Sequence, residues 1–476
     1  MISFDVSVCI LSAFLLLTLG VGIHFSRKKT TFREYAIGNK QFATATLVAT
    51  ILATAYSGSG LARNVEQIHT LGLYWMIIVI LGDLGLWVVS GLALRMGSFM
   101  QNLSMAETIG SVYGKCPRVI VALCSIGSSV TMVAMQVHVM ASSIRICIHT
   151  VDPQFIAVCS TLALIFYSSF GGIRTVVFTD VVQFMTFAVI LPFFSWFIFM
   201  KLGKPFLEIF PLLQEHDTFQ LSTIFHYDMN LVAMVALALS ILASYIDAPI
   251  VHRVYMSSGP TQARNVFRYA GFFGICINMV ICLIGLLIFV GTPEVSVVKV
   301  WDYIMTDIPP VLKGFLSVSL LAMSMSTADS CLHSGAIAVS HDILASIRST
   351  KTYPYQLELA RIASIFIGLF AMVLTFYYTN LLDLLKLNLG LYLPITVAPF
   401  ILAVFGFRGT SHTALIGMAS GVLTILAWNK WVEPSTGVDG SFIAMVANGL
   451  TMITAHYLLK IVGKYKLSCA KSPNYL

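Results

Sequence analysis

The chain has 476 residues, of which 58% are hydrophobic and 10% charged, and its formal net charge is +7. Charge content so far below the roughly 25% of soluble domains excludes an ordinary soluble enzyme or binding module. The apolar residues come in long stretches separated by short basic segments, so the positive charge reads as membrane topology and not as nucleic-acid affinity.

Val6–His24, Pro153–Gly172, Val181–Met200, Tyr269–Val290 and Ile362–Asn380 contain no Asp, Glu, Lys or Arg. Each is long enough to cross a ~30 Å hydrocarbon core, which takes ~20 residues. The pattern predicts an all-α polytopic membrane protein of about thirteen spans, near 5–25, 42–62, 73–94, 119–144, 153–171, 180–200, 230–252, 269–292, 314–340, 361–380, 387–405, 412–429 and 440–460. No linker, low-complexity tract or soluble domain interrupts them, so residues 1–476 read as a single transmembrane domain.

The first span has no basic segment before it and no small-residue cleavage site after it, and is expected to be retained, not removed as a signal peptide. The second contains Ala53-Thr54-Ala55-Tyr56-Ser57-Gly58-Ser59-Gly60, where two glycines weaken a helix, each by ~1 kcal/mol relative to alanine. Tyr74 and Trp75 begin the third and have the look of interfacial belt residues. Asp83 lies mid-span in Leu81-Gly82-Asp83-Leu84-Gly85, either as an inward-facing site carboxylate or as a hydrogen-bonded buried one. Asp180, after Thr179, stands where the sixth span should start and could cap it. The seventh span is interrupted at Ser244-Tyr245-Ile246-Asp247-Ala248-Pro249, since proline removes a backbone donor and clashes with the preceding turn.

The breaks in spans two and seven lie five spans apart. Interrupted spans at matching places in two halves are the best sequence pointer to a transporter site. They predict a 5+5 inverted repeat: a peripheral first helix and loop (1–40), a first repeat (41–229), a second (230–405), and two peripheral helices with a tail (406–476). Ser57 and Gly58 at the first break and Asp247 at the second, with Asp83, are the candidate substrate contacts. Two inward acids suggest a solute bearing an amine.

The ninth span carries the densest polar run in an apolar setting, Met323-Ser324-Met325-Ser326-Thr327-Ala328-Asp329-Ser330. Adjacent hydroxyls at Ser326 and Thr327 offer two hard oxygens at one helix level, which suits a small alkali cation. Asp329, one turn beyond Ser326, either biases the local field toward cations or bonds a neighbouring helix. Near the eleventh span Lys386 is expected to snorkel to the interface, and Arg63 either caps a vestibule or faces water. The nine cysteines show neither a disulfide framework nor a zinc spacing.

Loop charge sets the expected orientation. Arg27, Lys28, Lys29, Arg33, Lys40, Arg95, Lys115, Arg118, Arg174, Arg253, Arg264, Arg268, Arg348, Lys351, Arg361, Arg408, Lys460, Lys464, Lys466 and Lys471 fall on one face, 20 of the 28 Lys and Arg. The positive-inside rule then puts the N-terminus outside and the C-terminus in the cytoplasm, in the plasma (inner) membrane.

Three ordered motifs resemble the sodium:solute symporter family: Phe170-Gly171-Gly172-Ile173-Arg174-Thr175 followed by Thr179-Asp180-Val181-Val182-Gln183; Met325-Ser326-Thr327-Ala328-Asp329-Ser330; and Thr413-Ala414-Leu415-Ile416-Gly417-Met418-Ala419-Ser420-Gly421. The resemblance covers nearly the whole chain. It implies a LeuT-type fold with broken second and seventh helices, and Na+ as coupling ion. Carried onto this sequence, the Na+ ligands would be the carbonyls of Ala53, Tyr56 and Met323 and the hydroxyls of Ser326 and Thr327, with Asp180 on the exit path. Ala55 stands where some proline-carrying members have an aspartate, and Asp247 lies near an asparagine of sugar-carrying members, which weakens both substrates here. The expected function is Na+-coupled symport of a small organic solute into the cell by alternating access. The alternatives are proton coupling of the same transporter and a transporter-like sensor acting through a separate partner; the short tail leaves no room within this chain for a fused output domain. No enzyme motif, nucleic-acid partner or obligatory protein partner is expected; the lipid bilayer is.

Overall fold

The computed structural model describes residues 5–26, 31–148, 152–221, 229–292, 301, 308–347, 355–378 and 380–469, and among them it contains helices and no strand. Of the loop charges counted above, Arg27, Lys28, Lys29, Arg348, Lys351 and Lys471 lie outside the described residues.

Helix α1 (Val6–Ser26) is followed by a short α2 (Phe32–Ile37) that opens on a reciprocal capping box between Thr31 and Glu34. The second span is two helices, α3 (Thr44–Ala55) and α4 (Gly58–Leu71), bent by 54° at the break. Ser57 caps α4, its hydroxyl accepting from the Gly60 amide at 2.9 Å. Then come α5 (Leu73–Arg95), a short α6 (Met105–Tyr113) and α7 (Lys115–Cys147). With 33 residues, α7 is roughly 50 Å long at 1.5 Å per residue, more than a ~30 Å hydrocarbon core requires.

Helix α8 (Pro153–Leu202) runs for 50 residues with a kink at Gly172, whose φ of 62° is open to glycine and strained for other residues. A Cβ there would also overlap the ring of Tyr35 on α2. The two expected spans, 153–171 and 180–200, are thus two helices that meet at this kink with no loop between them, the second beginning near Gly171 and not at 180. In the described residues eleven helices are long and apolar enough to cross a membrane, or twelve with the bent pair, against about thirteen expected. Before the kink, Gln154–Phe166 is a further apolar helix, shorter than those eleven.

The chain continues through α9 (Phe206–Gln214) to the second broken span, α10 (Met229–Ser244) and α11 (Ala248–Met256). Asp247 caps α11, accepting from the Ile250 amide at 2.9 Å. Pro249 sits in the first turn, where no intrahelical N–H is required. Next follow α12 (Pro260–Gly291) and α13 (Pro310–Ile337), which passes through a π-helical turn at Ala338–Ile343. The last helices are α14 (Gln356–Tyr377), α15 (Leu381–Tyr392), α16 (Ala398–Val404), α17 (Ser411–Ala427) and α18 (Ser441–Cys469).

Helix α13 is the centre of the molecule, packing on α1, α3, α4, α7, α8, α11 and α14. Its buried surface runs round the whole helix, and the buried residues include Ser317, Ser319, Ser324, Ser326, Thr327, Asp329, Ser330 and His333. Helix α4 reaches α13 closely because of Gly58, where a Cβ would overlap Ser324 Oγ and the Leu320 carbonyl. Between α17 and its neighbours, Gly417 and Gly421 allow similar contact with Asn448 and the Pro394 carbonyl. Trp75 departs from the interfacial expectation: it is buried, and its indole N–H donates to Asn64 Oδ1 at 3.1 Å, so the α4–α5 contact claims it. Lys386 pairs with Glu433 at 2.8 Å near the surface.

Candidate functional site

The two breaks face one cavity of about 140 Å³. It is lined from α3 and α4 by Thr54, Tyr56 and Ser57, from the second break by Tyr245 and Asp247, and from α13 by Thr327, with Asp83 and Arg63 also on its wall. An engineered cavity of ~150 Å³ takes benzene, so the space suits a small solute. A helix that stops leaves its last four carbonyls without intrahelical donors. At the end of α3 these include Ala53 and Thr54, and they point to where a polar ligand or ion would be needed.

Thr327 sits at that end. Its hydroxyl donates to the Thr54 carbonyl at 3.1 Å and lies 3.2 Å from the Met323 carbonyl one turn back on α13. The carbonyl within reach of Thr327 is thus that of Thr54, the neighbour of Ala53. Ser326 turns to the other side and donates to Asp180 Oδ1 at 2.5 Å. Two hydroxyls, freed carbonyls and a carboxylate one hydroxyl away form a hard-oxygen donor set fitting an alkali cation. Ala53, Tyr56 and Met323 are all buried.

Asp180 does not start a helix. It lies inside α8, two turns past the Gly172 kink, and Thr179 bonds back to the Thr175 carbonyl at 3.0 Å as an ordinary helical residue. The capping alternative therefore falls. Asp180 instead carries an ion pair with Arg253 Nη2 at 3.2 Å, both side chains being buried. Arg253 is thereby removed from the loop charges: it belongs to α11 and is 1% exposed. Sequence reasoning missed it because the helix resumes after Pro249. The available signal was an arginine flanked by Val251, Val254 and Tyr255, an expensive neighbourhood for a charge without a partner.

Among the candidate substrate residues, Asp247 lines the cavity while one oxygen caps α11. Ser57 lines it as the cap of α4; Gly58 packs on α13 instead. Asp83 is also on the wall, yet its carboxylate is already occupied. Oδ1 accepts from Tyr56 at 3.1 Å, Tyr245 at 2.9 Å and Asn278 at 2.8 Å, and Oδ2 from Asn278 at 2.7 Å. It ties a tyrosine from each break to α12.

Comparison with known proteins agrees with this architecture. The model of the sodium:solute symporter family matches residues 35–421. A sodium/sialic acid symporter of Aliivibrio fischeri is 20% identical over 325 residues, and one of Proteus mirabilis is 21% identical over 328. The first match covers 64% of this chain and 64% of the relative, and the second 63% and 65%, so in each case less than two thirds of the relative's length is spanned. A sodium/proline symporter of Staphylococcus aureus is 24% identical over 164 residues, 33% of this chain and 31% of the relative. In solved structures, a Na+-coupled sialic acid symporter in a substrate-bound outward-open state superposes with a TM-score of 0.83 at 19% identity, covering 95% of this chain and 97% of that one. A nucleobase-cation-symport-1 family transporter in a closed conformation gives 0.63 at 12% identity, covering 90% and 94%. The fold is that of the LeuT-type transporters.

Proposed function

This chain belongs to the sodium:solute symporter family, and from that premise we propose that it couples inward movement of Na+ to that of a small organic solute by alternating access. One observation carries the reading: the Thr327 hydroxyl bridges the freed carbonyl of Thr54 to Met323, on the wall of the cavity between two broken helices. Unwound backbone at membrane depth is tolerated where it lines such a cavity.

In this reading Na+ takes the carbonyls of Ala53, Tyr56 and Met323 and the hydroxyls of Ser326 and Thr327, displacing the protein–protein hydrogen bonds those hydroxyls now make. Binding then draws α3 against α13 and completes the solute site, with Asp180 receiving the ion on its way out. The 41–229 and 230–405 repeats rock about that site. The N-terminus is outside, the C-terminus cytoplasmic and the membrane the plasma membrane. Because coupling is linkage between two ligands, Na+ and solute each raise the other's affinity. One inward Na+ gains about 2.3 kcal/mol from a 100 mV potential.

For the solute, Asp247 supplies a carboxylate to a cationic group and Arg63 a guanidinium to an anionic one. Asp83 holds Tyr56 and Tyr245 in place, with Ser57 beside them. A solute bearing both an amine and a carboxylate fits that pair.

The test is uptake into proteoliposomes from a panel of such solutes, with an inward Na+ gradient against a choline gradient. The expected result is Na+-dependent accumulation that Ser326→Ala with Thr327→Ala abolishes. If the double variant responds to Na+ replacement as the parent does, the proposed ion site is wrong.

A further inference from the structure

The polar cluster behind the cavity contains a cation of the protein's own. Arg253 Nη2 donates to Ser330 Oγ at 2.6 Å, Thr54 Oγ1 at 2.9 Å, Thr50 Oγ1 at 3.2 Å and Asp180 Oδ2 at 3.2 Å. Nη1 donates to the Pro249 carbonyl at 2.9 Å. The cage oxygens come from α3, α8 and α13, while the arginine comes from α11. Three hydroxyls and a carboxylate around one point are the donor set of an alkali-cation site, not of a hydrophobic packing contact. Thr50 also donates to Asp180 Oδ2, and Ser326 holds Oδ1. One of the proposed Na+ ligands, Ser326, therefore touches this cage directly, and Thr54 opens it to the cavity.

We propose that Arg253 is a tethered cation: its guanidinium permanently fills an oxygen cage that would otherwise take a second monovalent cation, so that transport is coupled to one Na+ per cycle. The inference rests on the sodium reading above. A buried carboxylate must be compensated, and a guanidinium keeps its charge in proteins. Being covalently held, it cannot be carried across the membrane and so draws nothing from the ion gradient. Removing it leaves Asp180 and three hydroxyls desolvated and available to a free ion.

The experiment is equilibrium binding of radioactive Na+ to the purified full-length chain in detergent micelles, with Arg253→Met as the variant. The wild type is expected to bind one Na+ per chain, and Arg253→Met close to two with a steeper, cooperative isotherm. Millimolar guanidinium should return the variant to one. Should Arg253→Met not fold, Arg253→Gln, which keeps an N–H for the Pro249 carbonyl, is measured instead with the same expectation. One Na+ in both wild type and a folded variant makes the pair a structural ion bridge and overturns this inference alone. Two in the wild type overturns it as well, since the guanidinium would not be excluding an ion. No Na+ in either chain overturns the sodium reading and this inference together.

Discussion

Asp83 and Asp247 show how two membrane carboxylates that look alike in sequence take different work. Asp83 accepts four hydrogen bonds from three side chains, so each removed donor weakens the structure before it touches any ligand. Tyr245→Phe should cost about 1 kcal/mol, an ordinary net hydrogen bond. Asn278→Ala should cost about 1–3 kcal/mol, because both carboxylate oxygens then lose a buried donor. Thermal melts in detergent check the order, and equal melting points for the two variants would contradict it. Asp247 spends one oxygen on the α11 cap, which Asn also provides well. Asp247→Asn should therefore melt with the parent while losing tenfold or more of its affinity for a cationic solute. Unchanged uptake would remove Asp247 from the solute site. From the sequence both acids were visible as costly, but their partners were not. Asn278 lies 195 residues from Asp83, and nothing local in either segment announces the pairing.

Among the elements, the breaks were the most readable feature, because their causes are local: Ser57 with two glycines at one, Asp247 with Pro249 at the other. The direct junction of two expected spans at Gly172, with no loop between them, was not readable, since glycine permits a sharp kink as readily as a loop, and the close approach of Tyr35 at that point is long-range. Arg253 was misplaced because the helix resumes after Pro249, and its partner Asp180, 73 residues away, was not readable at all. The glycines of the first break also differ in what they do. A Cβ on Gly58 would meet both Ser324 Oγ and the Leu320 carbonyl, whereas at Gly60 the near atom is Ser57 Oγ at 3.1 Å. Gly58→Ala is therefore expected to destabilise by about 1–3 kcal/mol, the usual range for overpacking. Adding Ser324→Ala should restore little, because backbone remains in the way. Full recovery of the melting point in that double variant would show that the hydroxyl alone sets the α4–α13 approach.

At the scale of the molecule, the end of α13 is fastened to the α6–α7 corner by charged groups well away from the cavity. Asp342 pairs with Arg118 at 2.9 Å and accepts from Ser104 at 2.8 Å, while His341 Nε2 lies 3.2 Å from Glu107 Oε2. In the proposed division this clasp joins the first repeat to the second, so it bears on any rocking between them. Burial alone would raise the Glu107 pKa, but the contact and charge of His341, the Leu103 amide and the Arg118 charge outweigh it and hold the carboxyl below its ordinary value. A carboxyl with a folded-state pKa below its unfolded one, ~4.3 for Glu, stabilises fully above the unfolded value. That contribution is lost as pH falls through the lower folded value. Glu107→Gln should thus melt below the parent at pH about 5 and above, where the carboxylate is ionised. The margin should close under further acidification, as the parent's own carboxylate takes up its proton. Melting curves of both chains in one detergent between neutral pH and pH about 3 measure it, and a margin independent of pH throughout would mean that Glu107 contributes to the clasp by shape and not by charge.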